Sequence, residues 1–131
     1  MTVRDANSLD FPSIVRIHAA MGSDYRLPEL DHPLFIVRKV AEGPSGLSAA
    51  CFLRISTECY LWLDPALNPR DKMRTMLELQ PAVLSEAYLK GIDDIEARVP
   101  ETIHHRFRKR LEQLGWQQAR PGWFPWSRAT Q

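Results

Sequence analysis

Residues 58–99, ECYLWLDPALNPRDKMRTMLELQPAVLSEAYLKGIDDIEARV, decide the architecture. Residues 58–63 alternate Leu61 and Leu63 on one face with Tyr60 and Trp62 on the other, the pattern of a strand covered on both sides. Asp64 and Pro65 end it. After a short polar loop, Met73, Met76, Leu77, Val83, Leu84, Ala87 and Tyr88 recur at the 3.6-residue period of a long helix. Lys90 and Gly91 close that helix as a basic last turn and a C-terminal cap. Pro81 has no N–H to give the ladder, so a kink or break is expected there. Residues 92–99 read as the next strand. Strand, helix, strand is a crossover, which predicts a parallel pair.

Upstream, residues 3–6 form a short β entry, and Asn7 with Asp10 makes a capping arrangement ahead of Pro12. Phe11, Ile14, Val15, His18 and Met21 follow helical spacing until Gly22. His18 lies beside this apolar stripe as a packed, hydrogen-bonded histidine. Residues 23–33 are a polar connector. Residues 34–41 and 47–55 are strands around the turn Gly43-Pro44-Ser45-Gly46, and Ser56-Thr57 reverses the chain into residues 58–63. Those three runs predict an antiparallel meander. Downstream, residues 102–114 are a helix with Ile103, Phe107, Leu111 and Leu114 inward, stopped by Gly115. Residues 116–119 and 123–127 form a closing hairpin around Arg120-Pro121-Gly122, with Pro125 at an edge.

The 131 residues suit one domain, residues 1–131, and the 44% hydrophobic and 25% charged fractions are those of a globular chain. Seventeen basic against sixteen acidic residues leave +1, which supplies no general field for nucleic acid or an anionic membrane. His104 to Arg110 is the densest cationic run. With Phe107 turned inward it is the solvated face of a helix, without the interleaved aromatics of a single-strand binder. No apolar stretch reaches membrane length and the N-terminus has no signal-peptide core, so the expected setting is cytoplasmic. Cys51 and Cys59 both sit on expected strands as reduced structural thiols. No metal site is expected, because His104 and His105 are adjacent and nothing completes a ligand set. Trp116, Trp123, Phe124 and Trp126 crowd the C-terminal hairpin as core or interface residues, which makes that hairpin a candidate homodimer face.

Two phrases sharpen the element order β-α-βββ-α-β-α-ββ. Leu61-Trp62-Leu63-Asp64-Pro65, followed by Arg70 and the long helix, resembles the "strand, Val-Asp-Pro, Arg-Gly-x-Gly-x-Gly/Ala, helix" passage of the GNAT N-acetyltransferase superfamily. Phe107 to Trp116 resembles that superfamily's later "Tyr-Glu-Lys-Leu-Gly-Phe" helix ending. The resemblance implies an α/β (α+β), GNAT-like fold: a mixed, mostly antiparallel central sheet of six to seven strands flanked by three to four helices. It implies acetyl-CoA as donor, its pantetheine arm against Leu61, Trp62 and Leu63 and its diphosphate at Arg70, Lys72, Met73, Arg74 and Thr75. It implies an amine acceptor, a small molecule or a peptide, held in part by Tyr25, Arg26, Glu29 and His32 of the connector. The superfamily's base is a carboxylate on the fourth strand, for which Glu58 and Tyr60 are the candidates here; its acid position falls on Leu111, which has no proton to donate. The sequence also departs at the diphosphate loop, since no glycine lies between Pro65 and Gly91. A non-catalytic interaction or structural protein that has lost the cofactor is the alternative expectation.

Overall fold

Asn7 and Asp10 cap one another at the start of the chain. The Asn7 side chain accepts from the Leu9 amide at 2.9 Å, and the Asn7 amide donates to Asp10 Oδ2 at 2.9 Å. A computed structural model describes residues 1–99, 101–119 and 126–130, apart from the side chains of Thr102 and Ile103. The chain divides into two compact units, Met1–Ser56 and Thr57–Gln131.

The first unit contains strand β1 (Thr2–Asp5), a 3-10 turn (Ser8–Asp10), helix α1 (Phe11–Met21), and strands β2 (Phe35–Gly43) and β3 (Gly46–Arg54). Gly22 ends α1 in the left-handed region at φ 67°, a conformation that costs a residue without Cβ little. β2 and β3 form the expected hairpin around Pro44-Ser45, with Gly43 opposite Gly46. The sheet order is β1-β2-β3, antiparallel throughout. β2 is therefore central, and it carries the buried Phe35 and Val40, while α1 contributes the buried Ile14 and packs on β3.

Arg4 ties β1 to the turn that follows it. Its Nη1 and Nη2 donate to the two oxygens of Asp10 at 2.9 and 2.8 Å, and its Nε donates to Glu42 on β2 at 3.1 Å. Hydrogen bonds from Arg4, then from the Asn7 amide, pull the Asp10 carboxyl from its usual 3.8 to about 2. A depressed carboxyl adds stability above its unfolded value, and that stability is lost as pH falls through about 2. Melting of the wild type should therefore weaken between about pH 4 and pH 2 more than melting of Asp10→Asn, which has no proton to take up there.

The second unit contains β4 (Glu58–Cys59), α2 (Pro69–Leu89), β5 (Glu96–Ala97) and α3 (Glu101–Gln113). β4 and β5 pair in parallel, Glu58 with Glu96 and Cys59 with Ala97, as the crossover predicts. Gln80 clamps this unit. Its amide nitrogen donates to Leu114 O at 2.9 Å, and its oxygen accepts from Trp116 Nε1 at 2.8 Å.

Several expectations are corrected. The described strands form a three-stranded antiparallel sheet and a two-stranded parallel one, not a sheet of six to seven strands. The meander's third strand is β1, held by its register with β2 and by Arg4, rather than residues 58–63. Residues 58–63 and 92–99 keep ladder pairing only over two residues each. Upstream of β5, the Asp94 carbonyl accepts from Thr57 Oγ1 and its carboxylate from the Ile95 amide, which turns the chain before it can pair further. α2 runs unbroken through Pro81. Residues 116–119 form no strand, because Trp116 is drawn back to Leu111 and Gln80. The remainder of the expected hairpin, including Trp123, Phe124 and the candidate dimer face they carry, lies outside the described residues, while Trp126 is exposed. Cys51 and Cys59 are free thiols. No helix among the described residues is long and apolar enough to cross a membrane.

Candidate functional site

A parallel strand places every second side chain on one face, so Glu58, Tyr60 and Trp62 line up, and Glu96 and Arg98 share the facing series on the neighbouring segment. Pairing ends after Cys59 and Ala97, and residues 60–63 make no backbone hydrogen bond to any described residue. At this fork the side chains converge. The Tyr60 hydroxyl donates to Glu58 Oε2 at 2.6 Å, and Arg98 Nη2 meets Glu58 Oε1 at 3.1 Å. The Tyr60 and Trp62 rings stack at 5.8 Å with 15° between planes. Glu58, Cys59, Tyr60, Leu61 and Arg98 line an open surface pocket of about 150 Å³.

The hydrogen bond to Glu58, reinforced by its negative charge, raises the Tyr60 phenol above the usual 10 against the opposing pull of Arg98. Tyr60 thus keeps its proton through neutral pH, its hydroxyl directed to Glu58. The two residues singled out as catalytic candidates, Glu58 and Tyr60, are in direct contact. Their third member, Arg98, went unnoticed in the sequence, although its even spacing from Glu96 was the available signal.

The start of α2 is closed by its own side chains. Asn68 Oδ1 accepts from the Asp71 amide at 2.8 Å, and Asn68 Nδ2 donates to Asp71 Oδ2 at 2.9 Å. The Lys72 amide is already bonded to the Asn68 carbonyl, and Pro69 has no N–H. Among the first four helical residues that leaves the Arg70 amide alone to meet an anion, beside the carboxylate of Asp71. Thr75 Oγ1 donates to Asp71 O, and Arg74 reaches Glu78 at 3.4 Å. Lys72 and Met73 are half-buried and Arg70 is exposed. The diphosphate of coenzyme A does not fit here: the donors it requires are consumed and a negative charge stands in their place. Asn68→Ala should cost about 1 kcal/mol of the stability of the second unit, read by urea unfolding followed through helical circular dichroism.

The connector residues belong to the first unit. Tyr25, Arg26 and Glu29 are exposed, and Tyr25 stands edge-on to His18 at 4.8 Å, its carbonyl 3.1 Å from His18 Nε2. His32 Nδ1 accepts from the Leu34 amide, and its carbonyl accepts from Arg38 Nη2 at 2.8 Å. Arg38 Nε also reaches Leu30 O at 3.1 Å, so this strand residue moulds the loop's path. His18 and His32 therefore serve the loop's structure.

A larger groove of about 1060 Å³ in the second unit is bordered by Gln80, Tyr88, Asp94, Arg98, Arg108 and Trp116. No group of three or more histidine, cysteine, aspartate or glutamate side chains among the described residues has the arrangement to hold a metal ion. Arg108 on α3 pairs with Glu112 at 3.1 Å, which takes one of the cations of residues 104–110 out of play. No family model, curated protein or solved structure matches this chain.

Proposed function

We propose that the chain is an N-acyltransferase that moves an acetyl group from a thioester to an amine. The observation that carries this reading is the 2.6 Å bond between the Tyr60 hydroxyl and Glu58, at the point where the parallel segments separate. The resemblance of residues 61–70 to the acetyltransferase passage supports it.

The thioester supplies an activated carbonyl carbon. The neutral amine nitrogen attacks it, the C–N bond forms, the C–S bond breaks, and the electron pair leaves on sulfur. The amine gives up one proton, and the departing thiolate takes one from solvent water, to which Glu58 later returns the amine's proton. Tyr60 accepts the amine proton on its oxygen while its own proton passes to Glu58, a relay along the 2.6 Å hydrogen bond that needs no free tyrosinate. Arg98 holds Glu58 in place through the other carboxylate oxygen. The amides and carbonyls of residues 60–63, unpaired among the described residues, offer partners to an amide-bearing donor arm. The test is release of free thiol from an acetyl thioester, with mass-spectrometric detection of the acetylated amine.

One observation favours a second reading, a non-catalytic interaction protein: the start of α2 is sealed by Asn68 and Asp71. Under that reading no thioester reacts above its spontaneous rate.

A further inference from the structure

The sealed helix and the open fork lie on one short stretch of chain. From Leu63 to Pro69 is six residues, at most about 20 Å of extended backbone. A donor lying along residues 60–63 and carrying a nucleotide diphosphate would bring that diphosphate near the first turn of α2. There it would meet the Asp71 carboxylate at 2.9 Å from the Asn68 amide nitrogen, and an Asp71 N–H already committed at 2.8 Å. Asp64 adds a second carboxylate to the intervening loop, where it accepts from the Ala66 amide. Each lost charge-assisted contact to phosphate is a substantial part of what makes nucleotide-bearing donors bind.

The geometry points to Asn68 and Asp71 as residues that deny a donor's diphosphate any binding contact, so that an acyl thioester is recognised through its thioester arm alone. This rests on the acyltransferase reading and names its substrate class: a short thioester arm of the pantetheine type, whether free or carried on another molecule. Two cationic side chains argue the other way. Arg70 is exposed and makes no ion pair among the described residues, and Lys72 is half-buried beside it. Arg74 is engaged with Glu78. A phosphate held by Arg70 and Lys72 alone would contact flexible side chains in solvent, where such pairs contribute little.

The experiment compares acetyl-CoA with acetyl-pantetheine, both by calorimetric titration of the full chain and as donors in thiol release. Affinities and kcat/KM values within about threefold of each other are expected, with no heat from adenosine 3′,5′-bisphosphate. Arg70→Ala should leave both donors unchanged. The double variant Asn68→Gly, Asp71→Gly should gain about tenfold for acetyl-CoA only. Acetyl-CoA favoured 100-fold or more by the wild type, or an Arg70→Ala loss confined to acetyl-CoA, would overturn the assignment while leaving acyl transfer standing. Equal binding of both thioesters without turnover would sink acyl transfer and keep the donor preference. Absence of binding by either thioester overturns both.

Discussion

Glu58→Gln is expected to lower acetyl transfer by about 10²–10³-fold at saturating donor, because the amide cannot take the proton that Tyr60 relays. The amide is nearly the same size, and Glu58 is a surface residue, so thermal melting should stay within about 0.5 kcal/mol of wild type. Tyr60→Phe should cost about tenfold or more, leaving Glu58 to act through water. Arg98→Gln acts differently. It acts through its ion pair with Glu58, so its expected effect is a smaller fall in kcat that Arg98→Lys restores in part. Initial rates of thiol release for wild type and the four variants, with circular dichroism as the folding control, check the series. Equal rates in wild type and Glu58→Gln would contradict the role given to the carboxylate.

The largest effect on stability is expected at Phe35. This residue is 8% exposed at the start of the central strand, and its ring meets Phe52 edge-on at 5.6 Å. Phe35→Ala removes the ring and leaves a cavity beside Phe52, a loss of about 3–5 kcal/mol. A 56-residue unit holds only roughly 3–8 kcal/mol of net stability, so most of it would be consumed. The neighbouring Ile36 is 62% exposed and lies within the register shift between Phe35 and Val37. Ile36→Ala should therefore shift the midpoint by less than about 0.5 kcal/mol. Chemical unfolding of the two variants side by side makes the test, and equal losses would mean that the core is not where the strand register puts it.

Locally encoded features were legible in the sequence. Gly22 and Gly91 stop their helices with positive φ, and the Gly43 to Gly46 turn pairs its flanking strands at the expected place. The Asn7–Asp10 cap forms with both of its hydrogen bonds. Each of these depends on residues within a few positions of one another. What the sequence did not reveal depends on distant partners. The alternation of Leu61 and Leu63 with Tyr60 and Trp62 states that a strand has two faces, but not which strand lies beside it. Glu58–Cys59 chose β5 across a 38-residue separation, and β1 took the place beside β2 through Arg4 and its long-range pair with Glu42. Trp116, read as a hairpin residue, is captured by Gln80, a polar residue whose role no periodicity announces.

The site divides in the same way. Glu58 and Tyr60 are two positions apart, so their contact follows from strand parity. Arg98 enters only once the parallel register is known. The missing glycines before α2 signalled trouble for a diphosphate, yet Asn68 as the residue that seals the turn required coordinates.

The proposed function, acetyl transfer, rests most heavily on the Glu58–Tyr60 pair. Its most direct measurement offers acetyl-pantetheine with three amines in turn (an alkyl diamine, a lysine-containing peptide and an α-amino acid) to wild type and Glu58→Gln. The account predicts an acetylated amine with at least one of the three, formed at least about 100-fold faster by wild type than by the variant. Thiol release at the spontaneous rate with all three amines, identical in both proteins, would contradict it.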